Sequence, residues 1–299
     1  MLRDKYGRIV TGIRISLTDR CNLSCFYCHR EWNIGHGELN VERITQLAKV
    51  ASSLGIRKLR ITGGEPLLCD DLLNIVSSTS PFFEEVSMTT NGTMLKDLAS
   101  ELKRRGLKRV NVSLPTLSPE RYFSITGKDL WGDAVKGIME AKNAGLCPTK
   151  VNMVVLKGVN EDEVERMVDF AAENALDLQL IELQPIPDDK ADVFRRFYRD
   201  LEDIEAWLAN ISKEVTVSGG RVSFRLDRHG NEITVTTVRP HGNKSFCSAC
   251  SRLRVTADGK LKPCLLRNDS TVDLKDAHDF EELRECFLKA VSLREPYWK

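Results

Sequence analysis

The sequence lacks the features that would direct it to a membrane, a nucleic acid or the secretory route. It has no run of about 18 apolar residues, the length of a membrane-spanning helix. Its N-terminal segment, MLRDKYGRIV, lacks the apolar stretch of a signal peptide. Basic and acidic residues number 44 and 43, so the formal net charge is +1 and no overall field favours nucleic acid or membrane surfaces. We therefore expect a cytoplasmic protein that binds neither.

Low-complexity tracts are also absent, and 41% of the residues are hydrophobic, so we expect a sizeable core rather than disorder. The 299 residues have room for one large α/β domain and a smaller appendage.

Cysteine, by contrast, is plentiful. Nine cysteines in a cytoplasmic chain indicate metal or redox chemistry rather than disulfides. Three of them, Cys69, Cys147 and Cys286, are scattered, and we interpret them as buried or bystander thiols.

The first cysteine group lies in one short loop. Cys21, Cys25 and Cys28 are spaced C-x3-C-x2-C within SLTDRCNLSCFYCHR. Three thiolates at this spacing can hold an iron–sulfur cluster and leave one iron open to a ligand that is not protein. The pattern is typical of the radical S-adenosylmethionine (SAM) family, and the aromatic Tyr27 before the third cysteine fits it. A zinc knuckle without its fourth ligand and chance clustering are the alternatives.

A second group of three cysteines lies near the other end of the chain. Cys247, Cys250 and Cys264 are spaced C-x2-C-x13-C, and an Asp258-Gly259 turn folds the third back toward the first two. Taken alone, the group fits zinc, with His241 as a fourth ligand, as well as it fits iron–sulfur. Taken with the first group, it favours a second cluster with an open iron.

Strand and helix patterns alternate six times between residues 11 and 183, with Asn40 and Asn160 as expected helix caps. Such alternation predicts a parallel sheet with helices outside. Six units are too few to close the usual eight-fold barrel, so we predict a partial, open (βα)6 barrel. Active sites of such barrels lie at the C-terminal ends of the strands. The first cysteine loop, Thr62–Pro66 and Thr89–Asn91 all follow strands and are therefore expected to face one another.

The pattern changes after a Pro-rich link, PIPDD, and a charged helical stretch. Short strands are expected at Glu214–Val217, Val222–Leu226 and Glu232–Val238. We predict two domains: residues 1–213 form the partial barrel, and residues 214–299 form a smaller domain that carries the second cysteine group and binds substrate.

Cations recur on the strands that should line the barrel, where an unpaired cation is unexpected. Alternation places the two cations of each close pair on one face of a strand. Guanidinium groups on one face suit phosphate, although two solvated surface arginines are the alternative for the pair after Cys250. We predict a triphosphate or polyanion site. Its residues are Arg14, Lys58, Arg60, Lys150, Arg252 and Arg254.

Longer motifs extend the resemblance over nearly the whole chain. They are Arg14–Cys28, Arg60–Leu67, Thr89–Gly92, Asn111–Leu114, Cys247–Arg254 and Gly259–Cys264. With them the chain resembles the GTP 3′,8-cyclase family of radical SAM enzymes, which acts in molybdenum cofactor biosynthesis. The first motif indicates only radical SAM chemistry, and the second cysteine group with its two arginines narrows the resemblance to this family.

The resemblance implies a lyase with two [4Fe–4S] clusters, one on each cysteine group. SAM bound at the first cluster is cleaved to a 5′-deoxyadenosyl radical, which abstracts the ribose 3′ hydrogen of GTP. C3′ then attacks guanine C8 to give (8S)-3′,8-cyclo-7,8-dihydroguanosine 5′-triphosphate. The guanine binds the open iron of the second cluster. A one-electron reductant, a downstream enzyme that takes the product, and a monomeric or homodimeric state are also implied.

The resemblance also implies contacts residue by residue. Those with SAM are Tyr27, Gly63, Gly64, Glu65, Ser113 and Gln184, where Glu65 faces the ammonium group. Those with GTP are Arg14, Lys58, Arg60, Thr89, Lys150, Arg252 and Arg254.

Several positions depart from the bacterial pattern. His29-Arg30 replace a usual Met-Pro, Pro115 an aspartate and Gln184 a methionine. Gln179 stands where an arginine often contacts the substrate, so that contact is lost or supplied elsewhere. The chain ends in Tyr297-Trp298-Lys299 rather than a Gly-Gly tail.

Two other functions fit parts of the sequence. A radical SAM enzyme that modifies peptides usually carries more auxiliary cysteines, and only Cys286 follows Cys264 here. A non-catalytic zinc protein would be colourless and would not bind SAM, whereas two [4Fe–4S] clusters predict brown protein with about eight irons per chain.

Overall fold

The structure is a computed structural model, which describes residues 1–29, 36–185 and 191–297. Its strands are β1 (Gly12–Ser16), β2 (Lys58–Thr62), β3 (Glu85–Thr90), β4 (Arg109–Ser113), β5 (Lys150–Val155), β6 (Asp177–Glu182), β7 (Glu214–Ser218), β8 (Arg221–Arg228), β9 (Asn231–Val238), β10 (Arg252–Val255), β11 (Lys260–Lys262) and β12 (Val272–Asp273). Its α-helices are α1 (Val41–Ser53), α2 (Leu72–Thr79), α3 (Ala99–Arg104), α4 (Pro119–Thr126), α5 (Trp131–Asn143), α6 (Val164–Glu173), α7 (Ala191–Phe197), α8 (Glu202–Ile211), α9 (Lys244–Ser248) and α10 (Phe280–Ser292).

The strands form one twelve-stranded sheet in the order β12-β11-β10-β1-β2-β3-β4-β5-β6-β9-β8-β7. Strands β1 to β6 are parallel neighbours in chain order, which confirms the predicted (βα)6 unit. The sheet ends at β12 and β7, which do not pair in the described residues, so the barrel is open.

The strands after residue 213 form, but they extend the barrel sheet on both edges. Strand β9 pairs in parallel with β6, and β10 pairs in parallel with β1. An open sheet leaves unpaired backbone N–H and C=O groups at its edges, and these strands satisfy them. Because the sheet is continuous across residue 213, the second cysteine group is connected through β10 to the strand before the first group. The domain division at this residue stays a prediction.

The barrel strands bury alternate residues on opposite faces. Ile13 and Ile15 of β1 are buried on the side of the helices, and Arg14 between them faces the interior. Strand β2 repeats the pattern, with Leu59 and Ile61 buried. The apolar face packs on helices such as α1, whose residues Ile44, Leu47, Ala48 and Ala51 are buried. Polar and charged side chains are therefore directed to the barrel interior, where a ligand site needs them.

The two predicted helix caps differ in outcome. The Asn40 side chain accepts a hydrogen bond from the Arg43 N–H and caps α1 as predicted. The Asn160 side chain does not cap its helix as predicted, because its oxygen accepts from the Leu156 N–H at 2.7 Å. Its amide donates to the carbonyls of Pro115 (2.7 Å) and Val154 (2.9 Å). Asn160 therefore ties together the segments that leave β4 and β5.

The segment after β6 is partly outside the described residues, as positions 186–190 of the predicted Pro-rich link belong to the gap. The charged helical stretch that follows consists of two helices, α7 and α8. In the described part of the chain, no helix is long and apolar enough to cross a membrane.

Candidate functional site

Both cysteine groups open onto one cavity of about 600 Å³ at the C-terminal ends of the parallel strands. The cysteines that line it are Cys21, Cys25, Cys28, Cys247, Cys250 and Cys264. The three scattered cysteines do not line it, and Cys69 is buried in the core whereas Cys147 is exposed. The fold therefore brings together two groups that are more than 200 residues apart in sequence.

The first cysteine loop is held by backbone and side-chain hydrogen bonds from two other segments. The Ser24 N–H donates to the Thr126 carbonyl (2.8 Å), at the end of α4. The Asn91 amide donates to the Asn22 side-chain oxygen at 2.7 Å, and Asn22 in turn donates to Thr93 at 2.9 Å. These contacts explain why the Thr89–Gly92 motif accompanies the cysteine motif.

The segment after β2 packs beneath the first loop. A Cβ atom at Gly64 would lie 2.1 Å from the Arg20 carbonyl oxygen, so only glycine fits there. Gly63 and Gly64 line the cavity, as do Tyr27, Ser113 and Gln184. Five of the six residues expected to contact SAM therefore line the same cavity as both cysteine groups.

Glu65 is the sixth, and the structure places it behind the cavity wall. Its carboxylate is fully buried and accepts from the Thr90 hydroxyl at 2.6 Å, the Asn91 N–H at 2.7 Å and the Leu67 N–H at 3.0 Å. Burial raises the pKa of Glu65 to about 7 despite these donors. Glu65 thus braces the Thr90–Asn91 segment, and its contact with a SAM ammonium stays a prediction.

Three arginines form a row across adjacent strands. Arg254 of β10 is in register with Arg14 of β1, which is in register with Arg60 of β2. All three line the cavity. Burial and the nearby cations, Arg109 first, lower the pKa of Arg60 to about 9. Mutual repulsion of this kind is relieved when a polyanion binds.

Two of the expected substrate residues lie elsewhere. Lys58, the first residue of β2, is exposed. Lys150, the first residue of β5, lies 3.7 Å from the carboxylate of Asp177. Neither lines the cavity, whereas Thr89 and Arg252 do. Burial and the surrounding arginines lower the pKa of Lys150, although the Asp177 carboxylate opposes them.

The acidic side chains of the cavity do not neutralise this row. Among the described residues, only Glu182 and Glu295 contribute carboxylates to the lining. Glu182 accepts from Arg239 at 3.0 Å, and Glu295 accepts from the Tyr6 hydroxyl at 3.0 Å. The cavity therefore has an excess of positive charge, although the whole chain is nearly neutral.

Residues 15–171 match the family model of the radical SAM superfamily, and residues 176–299 match the model described as Molybdenum Cofactor Synthesis C. The chain is 45% identical to the "Probable GTP 3',8-cyclase" of Methanothermobacter thermautotrophicus over 99% of both chains. It is 44% identical to the protein of the same name from Archaeoglobus fulgidus over 100% of both. The chain belongs to the GTP 3′,8-cyclase family of the radical SAM superfamily.

Solved structures of low sequence identity share the fold of this chain. Streptococcus suis SuiB bound to S-adenosylmethionine superposes with a TM-score of 0.69 at 17% identity, covering 92% of this chain and 65% of that chain. Native anSMEcpe with bound AdoMet has a TM-score of 0.65 at 16% identity, covering 92% and 80%. At this identity the likeness shows the fold alone. The curated relatives match the full chain, so neither the peptide-modifying alternative nor the zinc alternative is favoured.

As a member of this family, the chain is an enzyme whose cofactors are two [4Fe–4S] clusters and SAM, and its cysteines fit the clusters. Burial raises the pKa of the Cys250 thiol, but Arg252, Arg294 and Arg254 outweigh it and lower the pKa to about 7. A thiol whose pKa is near 7 readily forms the thiolate, which is the form that binds metal. No three Cys, His, Asp or Glu side chains in the described ranges converge enough to hold a single ion. A cluster differs from one ion because each thiolate binds a separate iron.

Two residues that line the cavity were not predicted from the sequence. Arg221, the first residue of β8, lines the cavity, as does Phe246, which immediately precedes Cys247. The strand was expected to begin at Val222 in a separate domain, so its first side chain was not considered for the site. The Gly219-Gly220 pair was the available signal, since it marks a turn that directs the next residue back toward the sheet.

A cluster of charged residues holds both chain ends against the second cysteine loop. Arg8 donates to the carbonyls of Cys247 (3.1 Å) and Glu295 (2.6 Å), and Arg294 donates to the Cys250 carbonyl (2.5 Å). Asp4 is fully buried between the two guanidiniums, 2.6 Å from Arg8 and 3.1 Å from Arg294. Tyr297 lines the cavity, while Trp298 and Lys299 are outside the described residues, as is Arg30 of the His29-Arg30 pair.

Replacing Arg294 with methionine is expected to lower the free energy of unfolding by about 2–3 kcal/mol, because charged hydrogen bonds of buried groups are lost while Arg8 still pairs with Asp4. Urea unfolding followed by circular dichroism, with the clusters intact, measures it. The control is Arg284→Met, whose exposed pair with Glu281 (3.3 Å) is worth about 0.5 kcal/mol or less. Equal losses in both variants would contradict the structural role of the cluster.

Proposed function

We propose that this chain converts GTP into (8S)-3′,8-cyclo-7,8-dihydroguanosine 5′-triphosphate. The observation that carries the proposal is that two cysteine triplets and a row of three arginines line one cavity. When bound, SAM and the reduced first cluster supply the radical that removes the ribose 3′ hydrogen. Carbon C3′ of the ribose would then bond to guanine C8, which opens the C8–N7 π bond and leaves the unpaired electron on the base. One electron from the one-electron reductant and one proton then complete the 7,8-dihydro product, in addition to the electron used to cleave SAM.

Residues at the first end of the cavity would bind and orient SAM. Cys21, Cys25 and Cys28 hold the first cluster, and the backbone of Gly63 and Gly64 lies open to the cavity beside them. Tyr27, Ser113 and Gln184 complete this end. Glu65 acts indirectly, because its three hydrogen bonds position the Thr90–Asn91 segment that supports the loop. A loop held at several points keeps the reacting groups in place.

Residues at the second end would bind GTP. Cys247, Cys250 and Cys264 hold the second cluster, which leaves one iron for the guanine. Arg14, Arg60, Thr89, Arg252 and Arg254 line the same cavity and would bind the triphosphate. Charge-assisted bonds from planar guanidiniums suit phosphate oxygens. Lys58 and Lys150 do not line the cavity, and they stabilise the bound anion through the electrostatic field of their positive charges.

The proposal extends to partners and location. A one-electron reductant reduces the first cluster, and a downstream enzyme takes the cyclised nucleotide. Catalysis takes place in the cytoplasm, where GTP and a low-potential reductant are both available.

The reaction is tested by anaerobic reconstitution with SAM, GTP and a chemical reductant, followed by mass spectrometry of the products. We expect 5′-deoxyadenosine and cyclised GTP in equal amounts. Formation of 5′-deoxyadenosine without cyclised GTP would remove the substrate claim and keep the radical claim. No SAM cleavage by protein with intact clusters would remove both.

The anion site is tested with the Arg252→Ala/Arg254→Ala double variant. Each guanidinium contact with phosphate is worth about 10-fold in affinity, so GTP binding should weaken by about 100-fold. SAM cleavage without substrate should survive, because the first cysteine loop is untouched. The matched control is Arg104→Ala/Arg105→Ala, an adjacent exposed pair whose guanidinium groups pair with Glu101. Calorimetric titration with GTP measures both; unchanged binding in the first variant would remove the phosphate role.

A further inference from the structure

We propose that Arg221 is a phosphate-binding residue of the GTP site and supplies the cation that Gln179 does not. The inference rests on the proposed function and adds to it a residue from outside the (βα)6 unit. It concerns the part of the cavity where strands β6, β9 and β8 lie next to one another.

The position of Arg221 is set by a tight turn that packs on the second cysteine loop. Gly219 and Gly220 both have positive φ angles, +59° and +70°, as expected for a two-residue hairpin between β7 and β8. A Cβ atom at Gly220 would lie 2.3 Å from the Cα atom of Phe246. Only glycine permits this approach, so the hairpin is seated directly against the residue before Cys247, and Arg221 follows it into the cavity.

Arg221 has no carboxylate partner among the residues that the structure describes. Its guanidinium carbon is 5.7 Å from the ring centroid of Phe246, and that of Arg252 is at the same distance from this ring. Two guanidiniums on one aromatic ring are held at defined positions, while their N–H groups stay available for an anion. Phe246 thus links the β8 cation to one already expected in the GTP site.

The surrounding charges show that Arg221 belongs to the same positive field as the arginine row. Burial, followed by the charge of Arg252, lowers the pKa of Arg221 to about 10. Arg221 in turn contributes to the lowered pKa values of Arg60 and Lys150. These cations come from four different strands, and they repel one another in the absence of an anion. A triphosphate placed among them would relieve that repulsion.

Strand β6 contributes no cation on this side. Gln179 lines the cavity, and its register neighbours across the sheet, Asn152 on β5 and Thr236 on β9, are neutral. Ser223 of β8, opposite Thr236, is neutral as well. Arg221 lies two residues before Ser223 on the same strand and lines the cavity. A planar guanidinium here makes the kind of two-point contact with phosphate oxygens that an amide at position 179 cannot make.

The test uses anaerobically reconstituted protein titrated with GTP, guanosine and inorganic triphosphate. We expect Arg221→Gln to weaken GTP and triphosphate binding by about 10- to 100-fold, since one charge-assisted contact is lost. Guanosine binding should stay within about 2-fold, because guanosine carries no phosphate. The matched control is Arg225→Gln on the same strand, which is exposed and paired with Glu214 at 3.0 Å. It should leave all three affinities unchanged.

A rescue variant separates phosphate binding from a structural role at Phe246. Adding Gln179→Arg to the Arg221→Gln protein should restore most of the GTP affinity, because a guanidinium returns to the same side of the cavity. An equal loss for guanosine and GTP, or a failure of the rescue, would overturn the inference. If wild type binds GTP and Arg221→Gln binds it equally well, the inference fails and the proposed function stands. If wild type with intact clusters does not bind GTP, the proposed function itself fails.

Discussion

The Cys28→Ala protein is expected to form no 5′-deoxyadenosine and no cyclised GTP. The proposed first cluster has three protein ligands, all in one loop, so this substitution leaves it with two. Loss of a group without which the chemistry cannot proceed lowers turnover by on the order of 10⁴-fold or more. The assay is chromatography of both products after anaerobic incubation with SAM, GTP and reductant.

The matched control for this substitution is Cys147→Ala, because Cys147 is exposed and lies outside the cavity. It should retain wild-type amounts of both products and all of the iron. The first variant should lose about half of an expected eight irons per chain. Wild-type SAM cleavage by Cys28→Ala would show that the C-x3-C-x2-C loop does not hold the catalytic cluster.

The Cys250→Ala protein should behave differently and separate the two ends of the cavity. Cys250 has the low-pKa thiol of the second group, and its loss removes a ligand of the proposed second cluster. Cyclised GTP should fall by on the order of 10⁴-fold, while SAM cleavage without substrate persists because the first loop is unchanged. The contact from Arg294 to residue 250 should survive, because the backbone carbonyl accepts it. The local fold is therefore expected to be retained.

Iron analysis, SAM cleavage and GTP titration are measured together on this variant. The control is Cys286→Ala, which removes a thiol from the same part of the chain, on α10 and outside the cavity. Unchanged GTP cyclisation by Cys250→Ala would refute the role assigned to the second group. Loss of SAM cleavage as well would show that the two ends of the cavity do not act separately.

Most of the site could be predicted because its residues lie at fixed places in a repeated pattern. The cysteine spacings, the segment after β2 and the alternation of Arg14 with buried isoleucines are all local in sequence. Parallel strands carry such residues to the same edge without further information. Arg60 was placed in the site by the same alternation, and the structure lines the cavity with it.

The expected contacts of Lys58 and Glu65 stay predictions, because lining the cavity depends on depth as well as on face. Lys58 shares a face with Arg60, but it lies at the other end of the strand, where solvent begins. Glu65 follows two glycines of the cavity wall, yet donors from the neighbouring segment draw its carboxylate beneath the wall. Alternation shows which way a side chain points, and only the packed structure shows how far along a strand the cavity extends.

By itself, the sequence determined the (βα)6 unit, the two cysteine groups and the cations of β1, β2 and β10, since each depends on short-range periodicity or spacing. The tertiary structure decided that the two groups share one cavity. It did so by pairing β10 with β1 and β9 with β6, contacts between residues far apart in the chain. The same pairing brought Arg221 to the cavity through the β7–β8 hairpin. No local pattern encodes which edge of the sheet a distant strand pairs with, because that choice depends on the hydrogen bonds and packing of the completed sheet.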